Sequence, residues 1–521
     1  EIMSSDWSSD VCSSDLFVSP YVVHSLGVVR YGVWTTLMSL TGYMSLVELG
    51  TQAGLGRYLN HYLGRKDFDK VNGVLNTALA MFGVAGFLLL AVSGALAMLL
   101  GSIFPRIPAA LLDEARTVLP LVALNLWLTF IGAAFRQLMT AHERFDLANL
   151  LEFGVLALRT AGTVAVLSAG YGLVPLAWVA VGATAAGVLG AGVVAGRLFR
   201  PMRLRPRLVS RERFRELFGF SIWAFVSNIA MRLLYMTDTL VIAVLLGPAS
   251  VTVYSIGARL LIYAKDLLGK VSAIFGPKMM QDCAREDRES LRWTYRRGAN
   301  LVMSVGVGLL IGMIVFGKEF IVLWMGPEFE ASYPVLAILT SSQFAAAAVL
   351  IASPVYFGLN RVKISASLTL LQGVLNLGLT LLFVMAFDMG IYGVAWGTFY
   401  PRIVFALLAG ALAMRWIGLS GWRFLTSSVS RWALAGGAFL GVCHGVRHGA
   451  EVLGWTGGWG FFVLKAAVAA GLYLPLAWMI LLDAADRRRL GRAMMNRLPW
   501  RRPSDADAIP DSMDAARRAE S

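Results

Sequence analysis

The sequence predicts an all-α polytopic membrane protein of about fourteen transmembrane helices, the first of them truncated, in two six-helix lobes with an extra C-terminal helix pair. Three observations predict it. Apolar residues make up 57% of the 521 residues and charged residues only 15%, which is too little polar surface for a water-soluble globule. Apolar runs of about 20 residues recur to the end of the chain, each long enough as a helix to cross a hydrocarbon core about 30 Å thick. The two halves of the chain repeat one another, which divides the molecule into lobes. Alternation at period two, which a membrane barrel requires, is absent.

The elements follow in order. Between Leu16 and Gly27 only about 12 residues are apolar, worth about 18 Å of helix, and the run SSDWSSDVCSSD precedes them. Residues 1–16 therefore read as a foreign leader that replaces part of a first helix; a native polar tail is the competing reading. A signal peptide is excluded, because the run lacks a basic start and an apolar centre. Spans at 30–49, 75–103, 117–139, 147–169 and 173–196 complete an N-terminal lobe over 17–198. A basic linker at 199–216 leads to spans at 221–247, 250–273, 299–324, 333–357, 364–387 and 390–414, the C-terminal lobe over 217–416. The extra pair, 430–447 and 460–482, lies within 417–484, and the polar, basic tail 485–521 is expected to be disordered.

Loop charge sets the orientation. Arg65, Lys66 and Lys70 follow the first full span, Arg136 and Arg144 the third, and eight arginines from Arg197 to Arg215 crowd the linker. Arg292, Arg296, Arg297, Arg361, Lys363, Arg415, Arg423 and the tail continue the alternation, whereas intervening loops such as KEFIVLWMGPEFEASYP are neutral or acidic. The basic loops and the C-terminus are thus expected to face the cytoplasm. Topology and contact with anionic lipids account for the pI of 9.9 without any nucleic acid. Cys12, Cys283 and Cys443 give no disulfide framework, and no His/Cys cluster has metal spacing.

The repeat has a shift of about 220 residues. HERFDLANLLEFGVLALRTAGTVAVLSAGYGLVPLAW (142–178) faces LNRVKISASLTLLQGVLNLGLTLLFVMAFDMGIYGVAW (359–396), with Arg144 on Arg361, Gly172 on Gly390 and Trp178 on Trp396. An even number of spans per repeat inserts both copies the same way, so the lobes are related by a parallel pseudo-two-fold axis along the membrane normal. Two such lobes around a cavity predict a transporter that works by rocking.

Three stretches carry a resemblance: LGVVRYGVWTTLMSLTGYMSLVELGTQAGLGRYL, MTDTLVIAVLLGPASVTVYSIGARLL and GIYGVAWGT. Over residues 17–482 the chain resembles the polysaccharide transporter family, in the superfamily that also holds multidrug and toxin extruders and lipid II flippases. The resemblance implies a flippase for undecaprenyl-pyrophosphate-linked oligosaccharide in the bacterial cytoplasmic (inner) membrane, serving O-antigen, capsule or exopolysaccharide synthesis. It implies membrane lipids and glycan polymerase machinery as partners, and no cofactor beyond coupling to protons or sodium.

Ionisable side chains inside a membrane normally face a cavity or a partner. The candidates are Arg259, Asp238, Arg232, Arg159, Glu152, Arg57, Lys265 and Arg402. Arg259, about nine residues into its helix, is the first choice for a pyrophosphate, since a guanidinium grips phosphate oxygens through paired charge-assisted bonds. The resemblance implies a basic residue in that helix too. Asp238 is expected to balance Arg232 or Arg259, or to bind a coupling cation or proton. Glu152 and Arg159, seven apart on one helix face, read equally as a structural ion pair. Arg57 and Arg30 are the nearest first-lobe cations, and Arg402 follows Pro401, where a helix kink is expected. Trp34, Trp127, Trp178, Trp223, Trp324 and Trp396 suit interfacial anchoring or stacking on sugars.

A multidrug extruder is the nearest rival, although cationic substrates favour carboxylates over the arginines found here. A lipid II flippase shares the extra helix pair. A membrane glycan ligase or polymerase needs a large external loop with an acid/base pair, and the external loops are at most about 20 residues. The chain is not expected to be an enzyme.

Overall fold

The computed structural model describes residues 7–481, apart from 49 and 456. Every element there is helical. The first half holds α1 (Trp7–Leu26), α2 (Val28–Met44), α3 (Thr51–Gly64), α4 (Phe68–Ile103), α5 (Ala109–Ala141), α6 (Phe145–Ser168) and α7 (Leu173–Leu198). The second holds α8 (Arg211–Leu245), α9 (Pro248–Ala273), α10 (Gly276–Ala284), α11 (Arg288–Met325), α12 (Ser332–Ala348), α13 (Ser353–Gly358), α14 (Val362–Leu381) and α15 (Gly390–Ile417). The short α16 (Gly421–Phe424), then α17 (Ser430–Val452) and α18 (Trp459–Ile480), complete the chain.

Ten helices among the described residues are long and apolar enough to cross a membrane. Helices α1, α2, α9 and α17 fall below that standard, and the first three of these form much of the seam between the lobes. Polar side chains are tolerated there because protein, not lipid, surrounds them. Helix α9 alone carries Arg259, Lys265, Asp266 and Lys270.

The turns that join the helices recur in register. Positive φ is found at Gly27 and Gly247, at Lys66 and Glu286, and at Glu143 and Asn360. The long helices α4 and α11 start alike: Asp67 accepts from the Lys70 amide at 3.2 Å, and Asp287 from the Ser290 amide at 3.0 Å. Each carboxylate satisfies a donor that the first turn cannot. The pattern is consistent with the expected axis between the lobes.

The lobes meet along α2, which packs on α8 and α9, and α1 touches α11. Contact is tight at the end opposite the arginine-rich loops. A Cβ on Gly32 would lie 1.8 Å from the Pro248 carbonyl oxygen, so no larger residue permits this approach. Thr252 donates to the Val28 carbonyl at 2.7 Å, and Trp324 donates to the Leu16 carbonyl at 2.7 Å. The extra helices dock on α11 through polar anchors: Trp432 donates to Asn300 at 3.2 Å, and Lys465 meets Glu319 at 2.5 Å.

Several boundaries differ from the sequence reading. The first helix begins at Trp7, so residue 16 is no boundary in the backbone; Ser and Asp lower helix preference but do not forbid helical dihedrals. The span expected at 30–49 breaks instead at Ser45–Glu48, a single 3₁₀ turn, before Gly50 turns left-handed at φ 71°. Residues 211–216, assigned to the linker, are the opening turns of α8. Helix α15 runs through Pro401 without interruption. The expected disordered tail 485–521 lies outside the described residues.

Candidate functional site

In the second lobe four helices bring polar side chains together around one carboxylate. Asp238, on α8, is buried, and its Oδ2 accepts from Tyr254 of α9 at 2.8 Å and from Thr398 of α15 at 2.7 Å. Asn376 of α14 donates to the Thr398 hydroxyl at 2.7 Å, which completes a relay ending on the carboxylate. Nearby, α12 contributes Ser342, which accepts from Arg402 of α15 at 3.2 Å, and the Arg402 charge acts on Asp238.

This cluster is incompletely satisfied. Asp238 Oδ1, Asn376 Oδ1 and Thr380 Oγ1 are buried and have no hydrogen-bond partner among the described residues. A buried oxygen without a donor costs about 1–3 kcal/mol, and three on adjoining helices ask for a common partner. One carboxylate with amide and hydroxyl oxygens suits a hard monovalent cation, or a proton on the carboxylate itself. Among the described residues no group of three or more His, Cys, Asp or Glu could hold a metal ion.

At the seam between lobes, Tyr43 of α2 hydrogen-bonds Thr237 of α8, the neighbour of Asp238. The break after α2 is held by Glu48, whose carboxylate accepts from the Gln52 amide at 3.0 Å and the Gln52 side chain at 2.8 Å. Arg232, two turns before Asp238 on α8, is half-buried and its charge acts on both Glu48 and Tyr43. It makes no hydrogen bond or ion pair among the described residues.

The other predicted residues are dispersed. Arg259 is half-buried where α9 meets α1 and donates to Ser19 at 3.0 Å, so it too lies at the seam. Lys265 rests over the Tyr235 ring, 3.9 Å from its centroid. Glu152 pairs at 3.3 Å with Arg136 of α5 and ties α6 to its neighbour. Residues seven apart on a helix are separated by two turns, about 10 Å, whereas an adjacent helix brings a partner within reach. Arg159 is half-buried on α6, Arg57 is exposed on α3, and Arg30 lies 3.6 Å from Glu114. Among the described residues the hydrogen bonds to Asp238 come from the Tyr254 and Thr398 hydroxyls.

Sequence reasoning missed Glu48, Tyr254, Asn376, Thr380 and Thr398. Asn376 had a usable signal, one of two amides, with Gln372, inside the apolar run LTLLQGVLNLGLTLLF. Hydroxyls have none, because they are common in membrane helices. Trp396 stacks on Tyr400 at 5.6 Å and, with Phe383, Phe387 and Met389 of the segment between α14 and α15, lines an apolar pocket of about 290 Å³.

Known proteins share the family and the fold of this chain. The model of a family described as "Polysaccharide biosynthesis protein" matches residues 26–334. The uncharacterized membrane protein EpsK of Bacillus subtilis is 23% identical over 73% of this chain and 75% of its own. A putative O-antigen transporter of Shigella flexneri is 21% identical over 66% of this chain and 81% of its own. Two solved structures share the fold: a multidrug resistance MATE family transporter of the MOP superfamily in an inward-facing conformation, and the lipid II flippase MurJ in an inward closed conformation. The first has a TM-score of 0.70 and 14% identity, covering 80% of this chain and 96% of its own. The second has a TM-score of 0.67 and 13% identity, covering 89% and 96%.

Proposed function

The chain belongs to the polysaccharide biosynthesis protein family, and from that membership we propose that it flips an undecaprenyl-pyrophosphate-linked oligosaccharide across the bacterial inner membrane. Its product serves O-antigen, capsule or exopolysaccharide synthesis. Transport proceeds by alternating access of the two lobes, with the C-terminus in the cytoplasm and polymerase machinery downstream. The pyrophosphate is held by Arg232 and Arg259 while the prenyl tail stays in lipid.

The observation that carries the proposal is Arg232, half-buried at the lobe seam and without a hydrogen bond among the described residues. A half-buried guanidinium with free donors favours an anion at the seam, and a diphosphate accepts those donors in pairs. The oxygen cluster around Asp238 supports ion coupling, since it begins one residue from the Tyr43 contact between the lobes. When a sodium ion or proton is bound, it supplies the positive charge that those oxygens lack. Asp238, Asn376, Thr380 and Thr398 would hold the sodium ion.

Complementation tests the reading. In cells blocked in flipping lipid-linked glycan, the wild-type gene restores surface glycan, whereas Arg232→Ala and Arg232→Glu reduce it at least about tenfold, one decade per 1.4 kcal/mol of lost binding. Full export by both variants sinks the pyrophosphate role. The multidrug extruder is the second reading, favoured by the likeness to the MATE structure. Drug resistance without glycan export would establish it.

A further inference from the structure

The linker between the lobes is not a loose tether. Residues 201–210 run along the first two turns of α4, held by two buried asparagines. Asn72 donates to the Pro201 carbonyl at 2.9 Å and accepts from the Arg203 amide at 2.7 Å. Asn76, one turn on, donates to the Arg203 carbonyl at 2.6 Å and accepts from the Arg205 amide at 2.8 Å. Each side-chain amide thus stands in for a peptide group of a neighbouring strand, and Arg205 has extended dihedrals to match. Thr77 accepts from the Ser210 amide at 3.2 Å. Beyond it, Arg213 clasps Glu216 at 2.7 Å and Tyr62 at 2.6 Å.

The segment presents a mainly basic surface, in which Glu212, 3.8 Å from Arg213, is an exposed acid. Arg200, Arg203, Arg205, Arg207, Arg211 and Arg215 are all exposed, and none forms a side-chain hydrogen bond or ion pair among the described residues. Leu204, Val209 and Phe214 lie between them at 51%, 44% and 43% exposure. The strap borders the start of α4, whose outer face carries Phe68 and, deeper, Val84, Phe87 and Leu88, all exposed. Alternating arginine and apolar side chains at the edge of a lipid-facing belt match a bilayer interface, where guanidinium groups meet phosphates and apolar groups enter the acyl boundary. A soluble acidic partner would use the charges but leave the apolar side chains in water.

We propose that this strap is a preorganised binding site for anionic phospholipid headgroups. The asparagine clamp fixes the spacing of the arginines, so the site differs from a diffuse basic loop. Because the strap enters α8 directly, bound lipid anchors the junction between lobes to one leaflet. The inference does not depend on which substrate the transporter carries.

The test titrates purified full-length protein in detergent with phosphatidylglycerol, phosphatidylcholine or inorganic phosphate and counts bound molecules by native mass spectrometry. Wild type is expected to retain phosphatidylglycerol in preference to both other probes. R203Q/R205Q/R207Q weakens that binding about tenfold or more, since each arginine near an anionic surface contributes comparably. R203K/R205K/R207K largely preserves it. N72A/N76A keeps every charge yet lowers the affinity severalfold and opens the strap to protease. Equal retention of the two lipids overturns the proposal, as does unchanged phosphatidylglycerol binding in the glutamine variant. If that variant does not purify as a single species, salt decides: wild-type binding that survives 1 M salt unchanged also overturns it.

Discussion

Thr398 of α15 donates a hydrogen bond at 2.7 Å to Oδ2 of Asp238 on α8, while Oδ1 of the same carboxylate receives none. The contact spans 160 residues of sequence. A carboxylate half-satisfied inside a helix bundle carries a cost of about 1–3 kcal/mol that a bound cation or proton would relieve.

Sodium should therefore stabilise the purified protein through this site. In detergent, replacing choline chloride by sodium chloride is expected to raise the unfolding temperature of wild type, by an amount equivalent to about 2.7 kcal/mol at a hundredfold excess over Kd. Asp238→Asn should abolish the shift, and Thr398→Val, which also removes a donor, should lower stability by about 1–3 kcal/mol. An identical sodium response in wild type and Asp238→Asn would assign the orphaned oxygens to something else, with a pH-dependent shift pointing to a proton.

Gly32 reports on closure of the lobes. A methyl group there would overlap the Pro248 carbonyl oxygen at 1.8 Å, and backbone cannot rotate away as a side chain can. Gly32→Ala should separate α2 from α9 at this end and cut transport at least about tenfold, each decade reporting about 1.4 kcal/mol lost from the closed state. Spin labels on residues 28 and 252 should show a longer mean distance in the variant. A wild-type distance distribution would mean that the seam repacks.

The Lys465–Glu319 pair should respond asymmetrically. The lysine side chain is 8% exposed and the glutamate 32%, so removing Glu319 strands the more deeply buried charge. Glu319→Ala is expected to cost about 3–5 kcal/mol in thermal or denaturant unfolding, and Lys465→Ala less. Lys465→Met with Glu319→Leu should recover most of the loss. Equal effects of the single substitutions would show that water already reaches Lys465.

Asp282, on α10 outside the spans, should confer acid lability. Burial alone raises its carboxyl, but the Lys278 ammonium at 2.5 Å, with the Ser290 and Thr294 hydroxyls, outweighs burial and holds the pKa below its ordinary value. A depressed folded pKa adds stability that is present above the unfolded pKa of about 3.9 and is lost as pH falls through the folded value. The difference in unfolding temperature between wild type and Asp282→Asn should therefore be constant near neutrality and shrink below about pH 4. A difference that grows on acidification would reverse the assigned sign.

How far the chain could be read without coordinates depends on the range of the signal. Apolar runs, alternating loop charge and the repeated Arg144/Arg361 and Trp178/Trp396 segments are local or periodic, and they are enough for an all-helical membrane transporter in two lobes. The break at Ser45–Glu48 was not legible, because hydropathy does not register a 3₁₀ turn inside an apolar run. Neither was the strap, since arginine-rich linkers look alike whether free or pinned, and its pins are asparagines more than 120 residues away in the chain.

The sequence by itself determined that these helices cross a membrane and that charges such as Asp238, Arg232 and Arg259 are exceptions needing a reason. Only the tertiary structure decided which charges act together. It put Asp238 among Tyr254, Thr398 and Asn376, gave Glu152 to Arg136 on the next helix, and left Arg232 at the seam. The physical reason is that side chains find partners across helix faces, and which faces meet is set by packing of the whole bundle, as where Gly32 admits Pro248, not by spacing along one helix.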